Sequence, residues 1–168
     1  MKSESLQELY VDELKCLYST KAQLISALPK MANAAQSPLV RAELKEELDL
    51  ARDHLARLEL ILESLKESPR GSQGQEVEGM LSKGKMAMIH NAPSPSIDTA
   101  LIAATQRVVR DAIAGYSCVR TYARLLYFDD AALVLQDSLN DEGAADDRLR
   151  QLARGAYKIG FNALDASA

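Results

Sequence analysis

Aromatic residues, glycine and proline are scarce in this chain. It has no tryptophan, and aromatic residues make up only 5% of its 168 residues, although 47% are hydrophobic. The core must therefore be built mainly from Leu, Ala, Ile and Val. With only 8 glycines and 5 prolines, clustered at a few places, the composition is typical of long helices joined by short turns.

Cysteine is nearly absent. The two cysteines, Cys16 and Cys118, lie far apart inside helical patterns, and no CxxC pair exists. Closely spaced cysteines of a zinc or redox motif are therefore excluded. We expect two reduced, partly buried thiols in a cytoplasmic protein.

The chain also lacks the charge and hydropathy patterns of nucleic-acid and membrane proteins. Its net charge is −4, and the longest basic-looking stretch, Lys83 to Lys85, is too short to form a basic face. No apolar run approaches the roughly 18 residues of a membrane span. The polar N-terminus lacks the apolar middle of a secretory signal. We expect no nucleic-acid partner and no membrane association.

Periodic apolar residues and helix-boundary signals predict four long helices and one short helix in a single domain over residues 1–168. Ser5 and Glu8 form a capping box for the first helix, and Ser37 followed by Pro38 begins the second. Gly155 is the predicted end of the last helix, so that the core covers about 5–154 and a tail covers 155–168. The predicted helices are about 5–33, 38–68, 76–89, 96–127 and 129–154.

The lengths of the connections predict the topology. Helices one and two, and likewise helices three and four, are joined by short turns, so each pair should form an antiparallel hairpin. The middle connection is about 25–30 residues long, far above the usual loop length, and contains the short helix. Two antiparallel hairpins joined by one long crossover are the ferritin-like form of an all-α four-helix bundle.

A few polar residues fall in line with the apolar stripes. In helix four, Glu142 and Asp146 are four residues apart along a leucine stripe, where carboxylates need a partner or a metal. The alternative is that both acids lie at the edge of the stripe. In helix two, Glu47 and His54 are seven apart on one face, and His54 is either a boundary residue or a ligand. His90 has no partner in the sequence.

Helices one and three offer little to a metal site. In helix one, Tyr10, Glu13 and Lys21 are predicted to lie beside the apolar stripe. Helix three has no acid in line with its stripe, because Asp111 points away from it. A di-iron carboxylate site takes acids from all four helices. The low-ranking metal candidates are therefore His54, Glu142 and Asp146, with iron or manganese as the ion.

The chain resembles the YciE/YciF-type ferritin-like stress proteins, a bacterial family with a domain of unknown function, from about Leu6 to Leu152. The resemblance implies a ferritin-like four-helix bundle, commonly dimeric, often linked to stress and without an established activity. Short phrases in the family's order carry it: Asp12-Glu13-Leu14, Ala27-Leu28-Pro29-Lys30-Met31-Ala32, Arg57-Leu58-Glu59, Pro69-Arg70-Gly71, Ala100-Leu101-Ile102-Ala103-Ala104, Ala114-Gly115-Tyr116, and Glu142 with Ala144-Ala145-Asp146.

The departures from the family's pattern weaken the metal chemistry that it implies. Lys21 and Leu50 stand where the family usually has glutamates, and helix three has Val109 and Ala112 at such positions. We therefore hypothesise a buried ion pair in which Lys21, together with His54, replaces the positive charge of a metal beside the acids of helix four.

Three functions follow from this sequence. The first is a non-enzymatic, stress-related ferritin-like bundle with a degenerate di-metal site. The second is a metal-binding or oxidase-type protein with a residual site from helices two and four. The third, a nucleic-acid or membrane associate, is disfavoured by charge. No pattern of nucleophilic catalysis is present. The family resemblance and apolar residues such as those of 125–128 predict a homodimer.

Overall fold

The computed structural model describes residues 3–70, 75–90 and 96–165, and within these ranges the chain forms five α-helices and no strand. The all-α prediction is confirmed. The Pro-rich loop predicted before residue 96 lies mostly outside the described residues. The helices are α1 (Ser3–Ala34), α2 (Pro38–Ser64), α3 (Gln75–His90), α4 (Ser96–Leu125) and α5 (Asp129–Asp165).

The four long helices form a ring in which every neighbouring pair is antiparallel. Helix α1 packs most extensively against α2, and α4 against α5. Contacts between the two hairpins show these directions. Tyr10, early in α1, lies beside Phe128, which follows α4. Glu43, early in α2, accepts a hydrogen bond from Arg148, late in α5. The crossover carries α3, which packs against α1 and α4. This is the predicted arrangement of two hairpins joined by a long crossover.

Several predicted helix boundaries are wrong. Helix α1 already includes Ser3, so Ser5 is a first-turn residue and no N-cap. Helix α2 ends at Ser64, earlier than predicted. Helix α5 continues past Gly155 to Asp165, so the helix does not end at residue 154. A single glycine costs a helix only about 1 kcal/mol, and Gly155 has no positive φ that would end one.

Two predictions about side-chain burial also need correction. Cys16 and Cys118 are exposed rather than partly buried, and they form no disulfide. Tyr10 and Lys21, predicted to lie beside the stripe of α1, are completely buried at its centre. The stripe is therefore rotated toward the side of the helix that carries these two residues.

The buried residues form two separate apolar clusters, one toward each end of the bundle. One contains Leu24, Ala51, Val108 and Ala145 together with α3, and the other contains Tyr10, Leu17, Leu58 and Leu135, with further members in each. Lys21 follows Leu17 by one turn and precedes Leu24 by one turn, so it lies between the clusters. A polar layer thus divides the core at mid-height.

Candidate functional site

The polar layer consists of side chains from all four long helices. Lys21 comes from α1, Glu47 and His54 from α2, Tyr116 from α4 and Glu142 from α5, and all five have no solvent exposure. Charged residues are rarely buried completely unless they are paired. The interactions among these five groups therefore decide what this layer can do.

Lys21 and Glu142 form a direct ion pair across the diagonal of the bundle. The Lys21 ammonium donates a hydrogen bond to Oε1 of Glu142, and both side chains are 0% exposed. The ammonium also lies 5.9 Å from the centre of the Tyr116 ring. Burial opposes ionisation of Glu142, but the Lys21 charge and His54 hold its pKa below the ordinary value. The pairing hypothesised from the sequence is confirmed for Glu142, whereas Asp146, the other acid of the hypothesis, is bound by Gln106, Arg110 and Arg150.

His54 connects this pair to the surface. Its Nε2 lies 3.2 Å from Oδ2 of Asp141, and its Nδ1 lies 3.0 Å from Oε1 of Glu142 without the alignment of a hydrogen bond. Arg57, half-buried, donates to the same oxygen of Asp141 at 2.9 Å. Both imidazole nitrogens thus face carboxylates, one at the surface and one in the core. His54 is fully buried, so the boundary interpretation is wrong.

Glu47 is the anomalous member of the layer. Neither of its carboxylate oxygens has a hydrogen-bond partner among the described residues, although both are buried. Burial raises the pKa of Glu47 to about 8, because the nearby Lys21 charge that favours ionisation does not offset desolvation and the Glu142 charge adds to it. Glu47 is therefore mostly protonated, and neutral, at pH 7.

The two buried tyrosines of the core, like Glu47, have polar atoms without hydrogen-bond partners among the described residues and raised pKa values. The Tyr116 ring meets the His54 ring edge-on with centroids 5.3 Å apart. Within the described part of the chain, the hydroxyls of Tyr116 and Tyr10 and Oε2 of Glu142 have no hydrogen-bond partner. Burial raises the pKa of Tyr10 to about 12 and that of Tyr116 well above its ordinary value. Both hydroxyls remain protonated at physiological pH.

Asp146 does not belong to this layer. Its carboxylate lies at the edge of the core, where Gln106, Arg110 and Arg150 donate to it at 3.1, 3.0 and 3.3 Å. These three donors lower its pKa below the ordinary value despite partial burial. Of the three sequence-predicted metal candidates, the structure therefore brings together His54 and Glu142 and separates Asp146 from them.

The residues present do not fit a di-metal centre. The Lys21 ammonium takes up one lone-pair direction of Glu142, a carboxylate that a metal ion would need as a ligand. Within residues 3–70, 75–90 and 96–165, no group of three or more His, Cys, Asp or Glu side chains is arranged to hold a metal ion. Val109 and Ala112 of α4 are buried apolar residues that offer no ligand. A metal cation, in addition to the Lys21 ammonium, has no complete set of donors among the described residues of this layer.

Glu47 is a residue of the site that was not among the sequence-predicted metal candidates. It lies seven residues, close to two turns, before His54, and this spacing places both side chains on the inward face of α2. His90 belongs to α3, but the placement of its side chain lies outside what the structure describes.

The comparison with known families decides where the chain belongs. The model of a family described as a domain of unknown function, DUF892, matches residues 5–160. The chain belongs to this family.

Its relatives share both sequence and fold. Protein YciF of Escherichia coli K12 is 27% identical over 154 residues, which cover 91% of this chain and 93% of YciF. The crystal structure of the E. coli stress protein YciF superposes with a TM-score of 0.85 at 26% identity, covering 91% of this chain and 97% of that one. A Rhodopseudomonas palustris protein, YcfI, reaches 0.80 at 26% identity, covering 86% and 92%. The resemblance to the YciF-type family is thereby confirmed.

A further solved structure supports the fold alone. A protein from Xanthomonas campestris superposes with a TM-score of 0.77 over 96% of this chain and 99% of that one, at 15% identity. No helix of this DUF892 member, within its described residues, is long and apolar enough to cross a membrane.

Proposed function

We propose that this chain is a non-catalytic, cytoplasmic stress protein whose bundle core is a degenerate di-metal centre. The observation that carries the proposal is the buried contact between Lys21 and Glu142. A lysine ammonium supplies a fixed positive charge in the place of a cation and needs no metal supply. It has no redox chemistry, so the oxygen activation of di-iron bundles has no basis here.

The charges of the layer support this proposal. The Lys21 ammonium balances the Glu142 carboxylate, and the raised pKa of Glu47 keeps that side chain neutral at pH 7. Arg57 and Asp141 balance each other at the edge of the layer. These two ion pairs are balanced without any bound ion, and a divalent cation would have to displace a proton and oppose Lys21.

Metal analysis of the purified protein tests this proposal. We expect less than a tenth of an equivalent of iron, manganese or zinc per chain, and no saturable uptake on titration with Mn²⁺ or Fe²⁺ under anaerobic conditions. One or two equivalents that survive dialysis and are lost in Glu142→Gln would overturn it.

A second function, a residual single-metal site on α2 and α5, has one observation in its favour. Glu47 and Glu142 have three buried oxygens without hydrogen-bond partners among the described residues, and Nδ1 of His54 lies 3.0 Å from the other oxygen of Glu142, although these side chains are not arranged as a ready-made metal site. Carboxylate oxygens and imidazole suit manganese or iron. The same titration separates the two functions, because a residual site predicts one equivalent that both Glu47→Gln and Glu142→Gln abolish. An Asp146→Asn variant, outside the layer, serves as the matched control.

The role in stress rests on the relative described as the E. coli stress protein YciF. The test is the abundance of this chain in its own cells before and after osmotic, oxidative and heat stress. Unchanged abundance and an unchanged survival of a deletion strain under all three conditions would remove the stress assignment.

Homodimer formation is part of the proposal and is supported by a surface at one end of the bundle. Leu125, Tyr127 and Leu133 are 60%, 88% and 66% exposed around the turn between α4 and α5. Arg124 ends α4 and Asp129 begins α5, so the rim carries both signs of charge, as a self-complementary two-fold contact requires. Light scattering after gel filtration should give a dimer mass for the native chain and a monomer mass for Tyr127→Asp.

A further inference from the structure

A groove outside the polar layer lies between α1 and the crossover helix α3. The groove has a volume of about 690 Å³. From Glu78 to Ile89 it follows α3 for about 16 Å, at 1.5 Å of rise per residue. Its walls mix apolar and polar side chains: Gln23, Ser26, Ala27 and Lys30 from α1, and Glu78, Leu81, Lys85, Met88 and Ile89 from α3.

The groove has a fixed base, because α3 is closely packed onto the bundle. A Cβ atom at Gly84 would lie 3.1 Å from Cβ of Ala104 in α4 and 3.8 Å from Cε of Met31 in α1. Val77 and Leu81 of α3 are buried in the core. The inner face of α3 therefore packs against the core, and the groove lies on the side of this helix that faces α1.

Two lysines line this groove, one from each wall. Lys30 comes from α1 and Lys85 from α3, and their chain neighbours Met31 and Gly84 pack close to each other. Among the described residues neither ammonium forms an ion pair. The groove has two positive charges and only one acid, Glu78, toward its other end, although the whole chain carries −4.

Apolar side chains continue from the lysines in both directions. Along α3, Leu81 precedes Lys85 by one turn and Met88 and Ile89 follow it, and Ala27 precedes Lys30 on α1. Ile89 is 73% exposed, which leaves a large apolar surface in water. A ligand that covers these side chains while it satisfies two ammonium groups must be apolar along its length and negatively charged at one point.

We propose that this groove binds a free long-chain fatty acid, with its carboxylate between Lys30 and Lys85 and its chain along Ala27, Leu81, Met88 and Ile89. The volume lies in the range of small-ligand sites. The charge pair selects an anion over a neutral or cationic amphiphile. This proposal is independent of the metal and stress assignments made above.

The binding experiment uses the native chain and fatty acids below their micelle concentration. The five methionines provide probes, because Met88 lines the groove whereas Met86 is exposed outside it. In protein labelled with ¹³C at the methionine methyl groups, titration with dodecanoate should shift the Met88 signal saturably, with one equivalent bound, and leave the Met86 signal nearly unchanged. Affinity should rise about four-fold for each added methylene from octanoate to dodecanoate.

Charge variants test the part of the lysines. Lys30→Met and Lys85→Met should each weaken dodecanoate binding by about ten-fold, since each removes one charged partner of the carboxylate. Lys45→Met, at an exposed position on α2, is the matched control and should leave binding unchanged. Dodecanol and dodecyltrimethylammonium should bind the native chain at least ten-fold more weakly than dodecanoate.

Three results would overturn the proposal. The first is the absence of a saturable shift at Met88 in the native, folded chain. The second is equal weakening by Lys45→Met and Lys85→Met, which would indicate attraction to the surface in general. The third is binding only to vesicles of an anionic phospholipid and not to monomeric dodecanoate, which would assign the groove to a membrane surface.

Discussion

Oδ2 of Asp98 lies 2.8 Å from the backbone nitrogen of Ser37, so the first turn of α4 holds the turn that leads into α2. Its other oxygen, Oδ1, accepts the backbone N–H of Gln36 at 2.8 Å. Ser37 occupies the N-cap position predicted from the sequence, but its own side chain makes no capping hydrogen bond. A carboxylate from the second hairpin thus fixes the turn of the first hairpin.

Removal of this carboxylate should destabilise the fold. In Asp98→Ala the two backbone donors at residues 36 and 37 lose a charged acceptor in a partly buried site, and we expect a loss of about 2–3 kcal/mol in the free energy of unfolding. Urea denaturation measures it. The exposed Asp53→Ala on α2 should change stability by less than about 0.5 kcal/mol. Equal effects of both variants would contradict the structural role of Asp98.

The buried ion pair predicts a non-additive double variant. Lys21→Met leaves Glu142 as an uncompensated charge and should cost about 3–5 kcal/mol. Adding Glu142→Gln to the same chain removes that charge and should restore most of the loss. A double-mutant cycle by urea denaturation provides the coupling free energy. If the two single losses simply added, the two side chains would not interact in the folded protein.

The raised pKa of Glu47 predicts that stability falls as pH increases. The pKa is about 8 in the folded chain and near 4.5 when unfolded. The folded state therefore holds a proton that the unfolded state releases. The contribution of this proton to the free energy of unfolding is complete below pH 4.5 and is lost as pH rises to 8. Between pH 5 and 8 the slope should reach about 1.4 kcal/mol per pH unit. Thermal unfolding should show a flatter profile for Glu47→Gln and the native profile for the exposed Glu59→Gln.

Two helical glycines predict opposite effects of the same substitution. A Cβ atom at Gly115 would lie 2.8 Å from Cδ2 of Leu17 and 3.0 Å from Oε1 of Glu13, where α4 meets α1. Gly115→Ala should therefore destabilise by about 1–3 kcal/mol. No atom lies within 4 Å of a Cβ at Gly143, so Gly143→Ala should stabilise by about 0.5–1 kcal/mol. Thermal denaturation of both variants compares the two signs directly.

The turn after α4 contains a strained aromatic residue. Tyr127 has a φ of 61° in a helix-ending motif, with the N–H of Phe128 bonded to the carbonyl of Ala123. Tyr127→Gly should stabilise the isolated chain by about 1 kcal/mol, because glycine adopts this conformation without strain. Tyr127→Ala, which keeps the strain, should bring no gain in denaturation at concentrations where the chain is monomeric. Equal stability of the two variants would show that the backbone conformation has no measurable cost.

The sequence predicts the topology well because it depends on coarse features. Long apolar stripes place four helices, and the contrast between short turns and one long connection predicts two hairpins joined by a crossover rather than a simple up-and-down bundle. Pairing between Lys21 and Glu142 was also predictable, since a lysine replaced a glutamate opposite a retained acid. The topology depends on apolar periodicity and on the lengths of the connections, and the pair depends on which residue types occupy inward positions, all of which can be read from the sequence.

The details that the sequence did not predict depend on contacts between helices. Asp146 is in line with Glu142 along α5, but its carboxylate lies at the edge of the core, where arginines of α4 and α5 donate hydrogen bonds to it. Glu47 was visible on the face of His54, yet its complete burial without a partner follows only from the packing of α1 and α5 against α2. Asp98 acts on a turn some 60 residues away, and no local motif announces such a contact.

The polar layer also bears on the order in which the molecule assembles. Lys21 belongs to the first hairpin and Glu142 to the second, 121 residues apart in sequence. Each hairpin alone would leave its part of the layer in water, where a charged group is stable without a partner. Desolvation of these groups becomes tolerable only when both hairpins meet in the correct register. The ion pair therefore penalises docking of the two hairpins in a misaligned register.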